Sequence, residues 1–330
     1  MATLGTNVST LADVASRMDP DGKIPAVVEL LDETNEILDD MMWMEGNLPT
    51  GHKTTVRSGL PSTTWRKLNY GVQPSKSTTV QVTDSCGMLE AYAEVDKALA
   101  DLNGNTAAFR LSEDRAFLES MNQEMQETLF YGDTSTTPEE FMGLAPRYNS
   151  TSAANGENIL LGGGSGSDNT SVWLVVWGSN TVHGIYPKGS KAGLSHRDLG
   201  EETLTDAAGG LYQGYRTHYK WDCGITVRDW RYAVRIANID VSELTKDASG
   251  SSADLVDLMV QALEIPRNLG LGKPVFYCNQ TVKSILRRQI LNSNNVRLSM
   301  DEVAGKKVLT FDGVPVRRTD AILSTEAAIS

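Results

Sequence analysis

The stretch "TAAFRLSEDRAFLESMNQEMQETLFY", residues 106–131, is the segment around which the rest of the chain is organised. Apolar side chains recur in it every three or four residues, which places them on one face of a helix. Gly132 follows its last residue and is a typical end signal. We therefore predict a helix about 35–40 Å long, at about 1.5 Å per residue, with its apolar stripe packed in a core. The stripe consists of Phe117, Leu118, Met121, Met125 and Leu129.

Upstream of this helix, residues 50–95 are rich in Thr and Val and poor in large aliphatic side chains. Alternation in "STTVQV" (77–82) and turn residues in "YGVQPS" (70–75) predict a long two-stranded ribbon. Arms of roughly 15–20 residues would extend about 50–65 Å at about 3.3 Å per residue. A lone hairpin is marginally stable in water, so the ribbon needs another surface on which to lie.

Residues 24–44, before the ribbon, have the pattern of an amphipathic helix with one apolar stripe and one strongly acidic face. Pro and Gly residues flank the segment on both sides, which makes it an appendage rather than part of the body. We expect Val28, Leu31 and Leu38 to dock in a groove on another surface, because an apolar stripe has to be buried. The acidic face is expected to turn to solvent or to basic residues.

Downstream of the central helix, the pattern mixes strands and helices. Strands are predicted at 171–177, 181–187, 212–222, 224–237 and 274–279, and helices at 252–265 and 280–291. The segments "VWLVVW" (172–177) and "PVFYCN" (274–279) are apolar enough to lie inside a sheet. No tandem repeat is evident, and the fold class is α+β.

The bulk composition excludes several functions. With 330 residues and 40% hydrophobic content, the chain can build a sizeable core in one or two domains. A net charge of -12 argues against a dedicated nucleic-acid binder. No apolar run resembles a signal peptide or a membrane span, so no membrane association is expected. Cys86, Cys223 and Cys278 are too widely spaced for a disulfide framework or a zinc site, which favours reduced thiols in a cytoplasmic chain.

The segment "GLSHRDLGEET" (193–203) contains the His-Arg-Asp that opens a protein-kinase catalytic loop. Thr203 stands where a kinase needs a metal-binding Asn, and no Asp-Phe-Gly follows. We therefore interpret this segment as a solvated loop. The four histidines lack metal-ligand spacing, so we predict no catalytic residue, no cofactor and no metal. A hydrolase whose dyad joins His183 or His196 to a distant Asp remains an alternative.

Four phrases, together with the order of the elements, carry a resemblance to a known family. They are "FMGLAPRYN" (141–149), "IYPKGSKAGLSHRDLGEE" (185–202), "WDCGITVRDWRYAVRIANID" (221–240) and "FDGVPVRRTDAIL" (311–323). In this order they resemble the major capsid protein of tailed bacteriophages, which has the HK97-like fold. The wording is closest to the subgroup of short-tailed phages of the epsilon-fifteen kind.

This resemblance implies an architecture. It assigns 1–49 to an N-terminal arm, 50–95 to the extended hairpin (the E-loop) and 96–150 to the spine helix with the first part of the peripheral domain. Residues 151–307 would form mainly the axial domain, with strands near 212–240 assigned to it or to the peripheral domain. Residues 308–330 would return to the peripheral domain.

The resemblance also implies a function. The chain would assemble with itself, as hexamers and pentamers, into the icosahedral shell of a virion that encloses double-stranded DNA without sequence-specific binding. Cement or decoration, scaffolding and portal proteins would be its partners, and assembly would take place in the host bacterial cytoplasm. Candidate assembly contacts are Val28, Leu31, Leu38, Trp65, Arg66, Arg197 and Asp198.

Two alternatives to a phage head protein remain at this point. An encapsulin-type shell or a tail-tube protein would also leave an arm and a ribbon to be covered by neighbours. Some members of the resembling fold join subunits through a Lys–Asn isopeptide bond. Lys53, Lys67 and Lys76 lie in the ribbon, but no acceptor can be identified, and we predict no such bond.

Overall fold

The computed structural model describes residues 36–102, 106–206, 208–245, 253–292, 298–303 and 306–330. The described chain divides into two compact units. The first unit contains Met88–Gln126 and Gly193–Asp222, and the second contains Asn35–Gly87, Glu127–Ala192 and Cys223–Ser330. The naming of peripheral and axial domains stays a prediction.

The described helices and strands follow in chain order. The helices are α1 Ile37–Asp40, α2 Lys97–Ala100, α3 Thr106–Tyr131, α4 Leu255–Glu264 and α5 Gln280–Asn292. The first strands are β1 Trp43–Glu45, β2 Gly51–Gly59, β3 Thr78–Ser85, β4 Gly87–Asp96, β5 Ile159–Leu161, β6 Asn169–Trp177 and β7 Val182–Tyr186. The others are β8 Ser195–Thr205, β9 Leu211–Val227, β10 Ala233–Asp240, β11 Lys273–Cys278, β12 Leu298–Val303, β13 Lys306–Phe311 and β14 Val314–Arg318.

Strand β6 is the centre of the second unit, and all nine of its residues are buried. It pairs antiparallel with β10 and with β11, and β11 continues in parallel to β14. A strand with neighbours on both edges and cover on its faces can be apolar throughout, which explains "VWLVVW". Helices α4 and α5 contribute to the same core. That core includes Val172, Leu174, Val234, Ile236, Leu255, Met259, Phe276, Val282, Leu286 and Phe311.

The first unit is a sheet of β8, β9 and β4 with the first part of α3. Strand β9 pairs antiparallel with β8 from Ser195↔Lys220 to Thr205↔Leu211 and has β4 as its other neighbour. One small core contains Ala93, Met121 and Tyr219, and a second contains Val95, Ala100 and Phe109.

The structure confirms the predicted central helix at Thr106–Tyr131. Met121, Met125 and Leu129 of its stripe are buried, which confirms that they pack in the core. The helix ends where expected, at Tyr131, and the next residue has to be glycine because a Cβ on Gly132 would lie 2.5 Å from the carbonyl oxygen of Phe141. The strands predicted at 171–177, 181–187 and 274–279 and both later helices are also present.

Two predictions in the second half of the chain are wrong. The strand pair expected at 212–222 and 224–237 is instead one continuous strand, β9, which is followed by a 3₁₀ turn at Trp230–Tyr232 and then by β10. Asp229 caps that turn, since its carboxylate accepts the backbone N–H of Arg231 at 3.1 Å. The His-Arg-Asp segment, expected as a loop, lies in strand β8.

The helix predicted at 24–44 is also wrong in the part that the structure describes. Helix α1 ends at Asp40, Met41 has extended backbone angles, and β1 then pairs in parallel with β7. Asp40 is buried, and its carboxylate forms ion pairs with Lys273 and Arg317. A buried charge requires such partners. Asp40, one residue of the predicted acidic face, is therefore bound within the chain, and residues 36–45 are part of the body. Val28 and Leu31 lie outside the described residues.

The predicted ribbon is shorter than expected as a paired structure. Strands β2 and β3 pair antiparallel from Gly51↔Ser85 to Gly59↔Thr78, and no strand is assigned in residues 60–77. Strand β4, which was expected to belong to the ribbon, neighbours β9 instead. The backbone carbonyl and amide groups of β4 therefore form hydrogen bonds in the sheet of the first unit.

Candidate assembly surface

The hairpin formed by β2 and β3, with the connecting residues 60–77, is the candidate assembly surface. Each of its strands pairs only with the other in the described chain, and they form a separate two-stranded sheet. Residues 51–83 contain no Asp and no Glu. Every charge that residues 51–83 carry at neutral pH is therefore positive, in a chain whose net charge is -12. Its cations are Lys53, Arg57, Arg66, Lys67 and Lys76.

The tip of the hairpin exposes large apolar side chains. Trp65 is 99% exposed and Leu68 is 86% exposed, so neither packs against the chain itself. The tip has few internal bonds: Ser75 Oγ donates to the carbonyl of Ser62 at 2.8 Å, and Tyr70 N to that of Lys67 at 3.2 Å. Isolated exposed apolar residues are common on proteins, but an apolar group at the end of a projecting ribbon indicates a surface for a partner.

The root of the hairpin is fixed by a buried carboxylate. Asp84, the first acidic residue after the hairpin cations, is buried and lies 2.8 Å from the Arg147 guanidinium. The hydroxyl of Thr226 donates to its other oxygen. Arg147 also donates to the carbonyl of Met142 at 3.0 Å, so both partners are satisfied as buried charges require. A rigid root thus carries an exposed tip.

Two buried histidines lie beside this root. His52 Nε2 accepts a hydrogen bond from Arg228 at 2.9 Å, and the ring of His183 stands edge-on to that of His52 at 5.9 Å. Burial and the positive charge of Arg228 lower the pKa of His52, although Asp84 opposes the shift. The same burial, then Arg228 and His52, lowers the pKa of His183 to about 4. Both rings are therefore neutral at pH 7.

The His-Arg-Asp segment lies on the other unit, at the edge strand β8. Asp198 is bonded to Arg110 at 2.7 Å, while Arg197 is exposed. His196 lies beside the ring of Tyr219, with their centroids 6.3 Å apart. A bulge between Asp198 and Gly200 interrupts the pairing with β9. Among the described residues, Asp198 is held by Arg110 and not by His196, and the histidine of this sheet that contacts a carboxylate is His218, whose Nε2 lies 3.1 Å from Glu90.

The predicted contact residues are thus spread over the chain rather than brought together. Trp65 and Arg66 are exposed on the hairpin tip, and Leu38 is half-buried in the body. The root residues Asp84, Arg147 and Arg228 were missed. The absence of carboxylates from 51–83 was a visible signal for a charged surface, but pairing across the fold has no local signature.

Among the described residues, no group of three or more His, Cys, Asp or Glu side chains is placed to hold a metal ion. No helix in the described part of the chain is long and apolar enough to cross a membrane.

A mixed α+β body that carries a hairpin with an uncovered apolar tip is the form expected of a subunit that packs against neighbouring copies. The chain matches, over residues 19–330, the family described as Major capsid protein GP7. Its fold is similar to that of the structure of bacteriophage Epsilon15, with 43% identity, 100% of this chain and 99% of that chain covered, and a TM-score of 0.78. The chain belongs to the GP7 family of major capsid proteins of tailed phages.

A more distant structure agrees on the fold. The capsid of bacteriophage JBD30 is 8% identical, covers 89% of this chain and 92% of its own, and has a TM-score of 0.50. Curated protein sequences include no match. The family match favours a capsid protein over an encapsulin-type shell, a tail-tube protein or a hydrolase.

The identification confirms the HK97-like α+β fold and the function predicted from the sequence. The protein is a structural component of the virion and self-assembles into the icosahedral shell of a phage head.

Proposed function

We propose that this chain builds its shell as hexamers and pentamers that enclose double-stranded DNA without reading its sequence. Cement, scaffolding and portal proteins complete the particle, and assembly takes place in the host bacterial cytoplasm. The observation that carries the proposal is the hairpin, whose tip is uncovered in the single chain while its root is held by buried ion pairs.

The hairpin supplies area for contacts between subunits. Its most exposed apolar side chains are those of Leu60, Trp65, Leu68 and Tyr70. Large aromatic side chains bury about 150–250 Å² each, so a few of them provide a substantial part of a standard interface of about 1,600 Å². The positive charge of the hairpin selects an acidic surface, which other copies of a chain with net charge -12 provide.

The protein acts without catalysis in this proposal. The hydrogen bond from Arg110 lowers the pKa of Asp198, which keeps that carboxylate ionised and bound. Because its proton affinity is reduced and its oxygen is already occupied, Asp198 is a poor general base. Sequence-independent enclosure of DNA agrees with the net charge, since a dedicated DNA-binding face needs a neutralising excess of cations.

Electron microscopy tests the proposal. The full chain, expressed with the structural genes of its phage, should form closed icosahedral particles. Trp65→Ala should reduce particle yield several-fold and leave thermal unfolding of the isolated subunit unchanged, because Trp65 is exposed in the single chain. Leu271→Ala, which removes a half-exposed apolar side chain that is not part of the hairpin, is the matched control and should keep the yield. Small discrete oligomers under every condition would contradict the proposal.

A further inference from the structure

A polar cleft of about 450 Å³ lies beside the root of the hairpin, within the second unit. Its lining comes from β2, from the turn between β6 and β7, and from the residues that follow β9. Of the described residues that line it, Val56 alone is apolar. An apolar anchor of another chain would find little to pack against there, so the cleft suits a hydrophilic ligand.

The cleft carries an excess of positive charge. Its cations are Lys53, Arg57 and Arg228, and its lining also contains the carboxylate of Asp229. Asp229 is already engaged, because its two oxygens accept from the guanidinium of Arg231 at 2.8 and 2.6 Å. Among the described residues, the three cations of the cleft form no ion pair with a carboxylate. The ligand that this charge attracts is an anion.

His52 supplies a buried donor that lacks an acceptor. Only 6% of His52 is exposed, and its Nε2 accepts from Arg228 at 2.9 Å. Because a guanidinium has donors only, Nε2 has to be the unprotonated nitrogen, and the proton of the neutral ring is therefore on Nδ1. That Nδ1–H has no acceptor among the described residues. A buried donor without an acceptor costs free energy, which a ligand oxygen would recover.

Two more polar groups in the lining lack partners in the same way. The Nε–H of Arg228 and the hydroxyl of Thr54 are buried and form no hydrogen bond with a described residue. Thr54 and His52 are two positions apart in β2, so alternation places both side chains on the same face of the strand. The cleft therefore offers donors from three side chains, and this chemistry suits an anion rich in oxygen.

We propose that this cleft binds a phosphate-type oxyanion, which accepts hydrogen bonds from Arg228, from Nδ1 of His52 and from Thr54. The exposed Lys53 and Arg57 add positive charge. A guanidinium suits this ligand because its planar fork can donate to two oxygens of a phosphate in parallel. The bound ion connects β2 to the residues after β9 and so holds the hairpin root to the body.

The burial of the donors selects a free ion over DNA. The ion reaches the donors by displacing part of the lining, which exposed side chains such as Lys53 and Arg57 permit. The phosphates of a duplex are fixed to a stiff rod, which stays outside a cleft of this size. The site goes beyond the proposed shell function, since all of its residues belong to one chain.

Isothermal titration calorimetry of the full chain with inorganic phosphate tests the site, at an ionic strength held constant with sodium chloride. The wild type should bind a single phosphate per chain. Arg57→Gln should weaken the affinity about threefold, because it removes an exposed cation. Arg228→Gln should weaken it roughly tenfold or more, because it removes a charged donor. Lys76→Gln is the matched control, since it removes an exposed hairpin cation outside the cleft lining, and it should bind as the wild type does.

Two substitutions of His52 separate a donor at the site from a purely structural residue. The side-chain amide of Asn reaches the position of Nδ1, whereas that of Gln reaches the position of Nε2. His52→Asn should therefore keep most of the phosphate affinity, and His52→Gln should lose roughly tenfold. Circular dichroism verifies that both variants fold. If they do not fold, the comparison of Arg57→Gln with Lys76→Gln decides, because both of those residues are exposed.

Three results would count against the site. Equal phosphate affinity in the wild type, Arg57→Gln and Arg228→Gln would overturn it and indicate a general salt effect. The same holds if His52→Gln binds phosphate as tightly as His52→Asn. Binding of a short DNA duplex that requires Arg228, without binding of inorganic phosphate, would overturn it in favour of a nucleic-acid surface. Failure of the wild type to form particles would contradict the proposed function and leave the phosphate site standing.

Discussion

The guanidinium of Arg235 lies 2.9 Å from the carboxylate of Glu326, and only 5% of either side chain is exposed. Arg235 also donates to the carbonyl of Tyr148 at 2.8 Å, and its guanidinium lies 5.2 Å from the ring centre of Trp173. Ser171 and Tyr131 donate to Glu326. One ion pair thus connects strand β10, strand β6, the end of α3 and the last segment of the chain.

Glu326→Ala should destabilise the subunit by about 3–5 kcal/mol, because it leaves the Arg235 charge buried without a partner. Urea unfolding of the full chain, followed by circular dichroism, measures the change. Glu157→Ala removes an exposed carboxylate and should change the free energy of unfolding by less than about 0.5 kcal/mol. Equal effects of the two substitutions would contradict the role assigned to the ion pair.

Acidification should destabilise the subunit between about pH 6.5 and pH 4. His183 has a folded-state pKa of about 4, below the ordinary value of 6.5, so the unfolded chain binds the proton more readily in this range. The stability that the neutral His183 contributes is fully present above pH 6.5. As the pH falls towards 4, the free energy of unfolding decreases by up to about 3 kcal/mol. His183→Phe should reduce the slope of melting temperature against pH relative to the wild type. An unchanged slope in His183→Phe would sink this assignment.

Gly132→Ala should lower stability by about 1–3 kcal/mol through overpacking. The added Cβ would lie 2.5 Å from the carbonyl oxygen of Phe141 and 2.6 Å from that of Thr128, and backbone atoms cannot move aside easily. Gly71→Ala is the control, because no atom lies within 4 Å of its added Cβ. Thermal melting compares the two, and a neutral Gly132→Ala would show that the end of α3 is looser than described.

Asp198→Ala and His196→Ala should remove no chemical activity. The exposed pair between Asp198 and Arg110 contributes only about 0–1 kcal/mol, so stability should change little as well. A nucleotide-turnover assay on wild type and variants is the measurement. Turnover by the wild type that Asp198→Ala abolishes would show that the segment is catalytic after all.

Residues 60–77 should be cut rapidly by protease in the unassembled subunit and resist cutting in the shell. Their backbone lacks strand pairing, and Leu60, Trp65 and Leu68 cover nothing in the single chain. Mass spectrometry of the fragments locates the cuts, and helix α3 serves as the internal control because it should resist in both states. Equal protection of the tip in both states would mean that it does not dock on assembly.

The parts of the fold that were predictable are those with strong local periodicity. Helix α3 and strand β6 follow from their own residues. The continuity of β9 does not, because Gly224 in "WDCGIT" has the appearance of a turn residue. In the structure Gly224 allows a close approach, since a Cβ there would lie 2.8 Å from the carbonyl oxygen of Ser85. Whether such a glycine interrupts a strand depends on packing between distant segments, and the local sequence pattern carries no information about that packing.

The candidate surface was predictable in its exposed part and not at its root. Trp65 and Arg66 follow from a ribbon without a core of its own. The Asp84–Arg147 pair joins residues 63 positions apart, and the partners of Asp40 lie more than 230 positions away. Composition can indicate that a buried charge needs a partner, but only the three-dimensional structure identifies that partner.

The charge of the hairpin has a consequence for the order in which subunits meet. Every side chain from Lys53 to Lys76 that is charged at neutral pH is a cation, so two hairpins that approach tip to tip repel each other before their apolar groups touch. Wrong encounters are thereby kept short-lived, although Trp65 and Leu68 would otherwise favour aggregation. At about 1 M salt the Debye length falls to about 3 Å and this protection is lost. At this salt concentration free subunits should therefore aggregate irreversibly, whereas subunits already in a shell should stay dispersed.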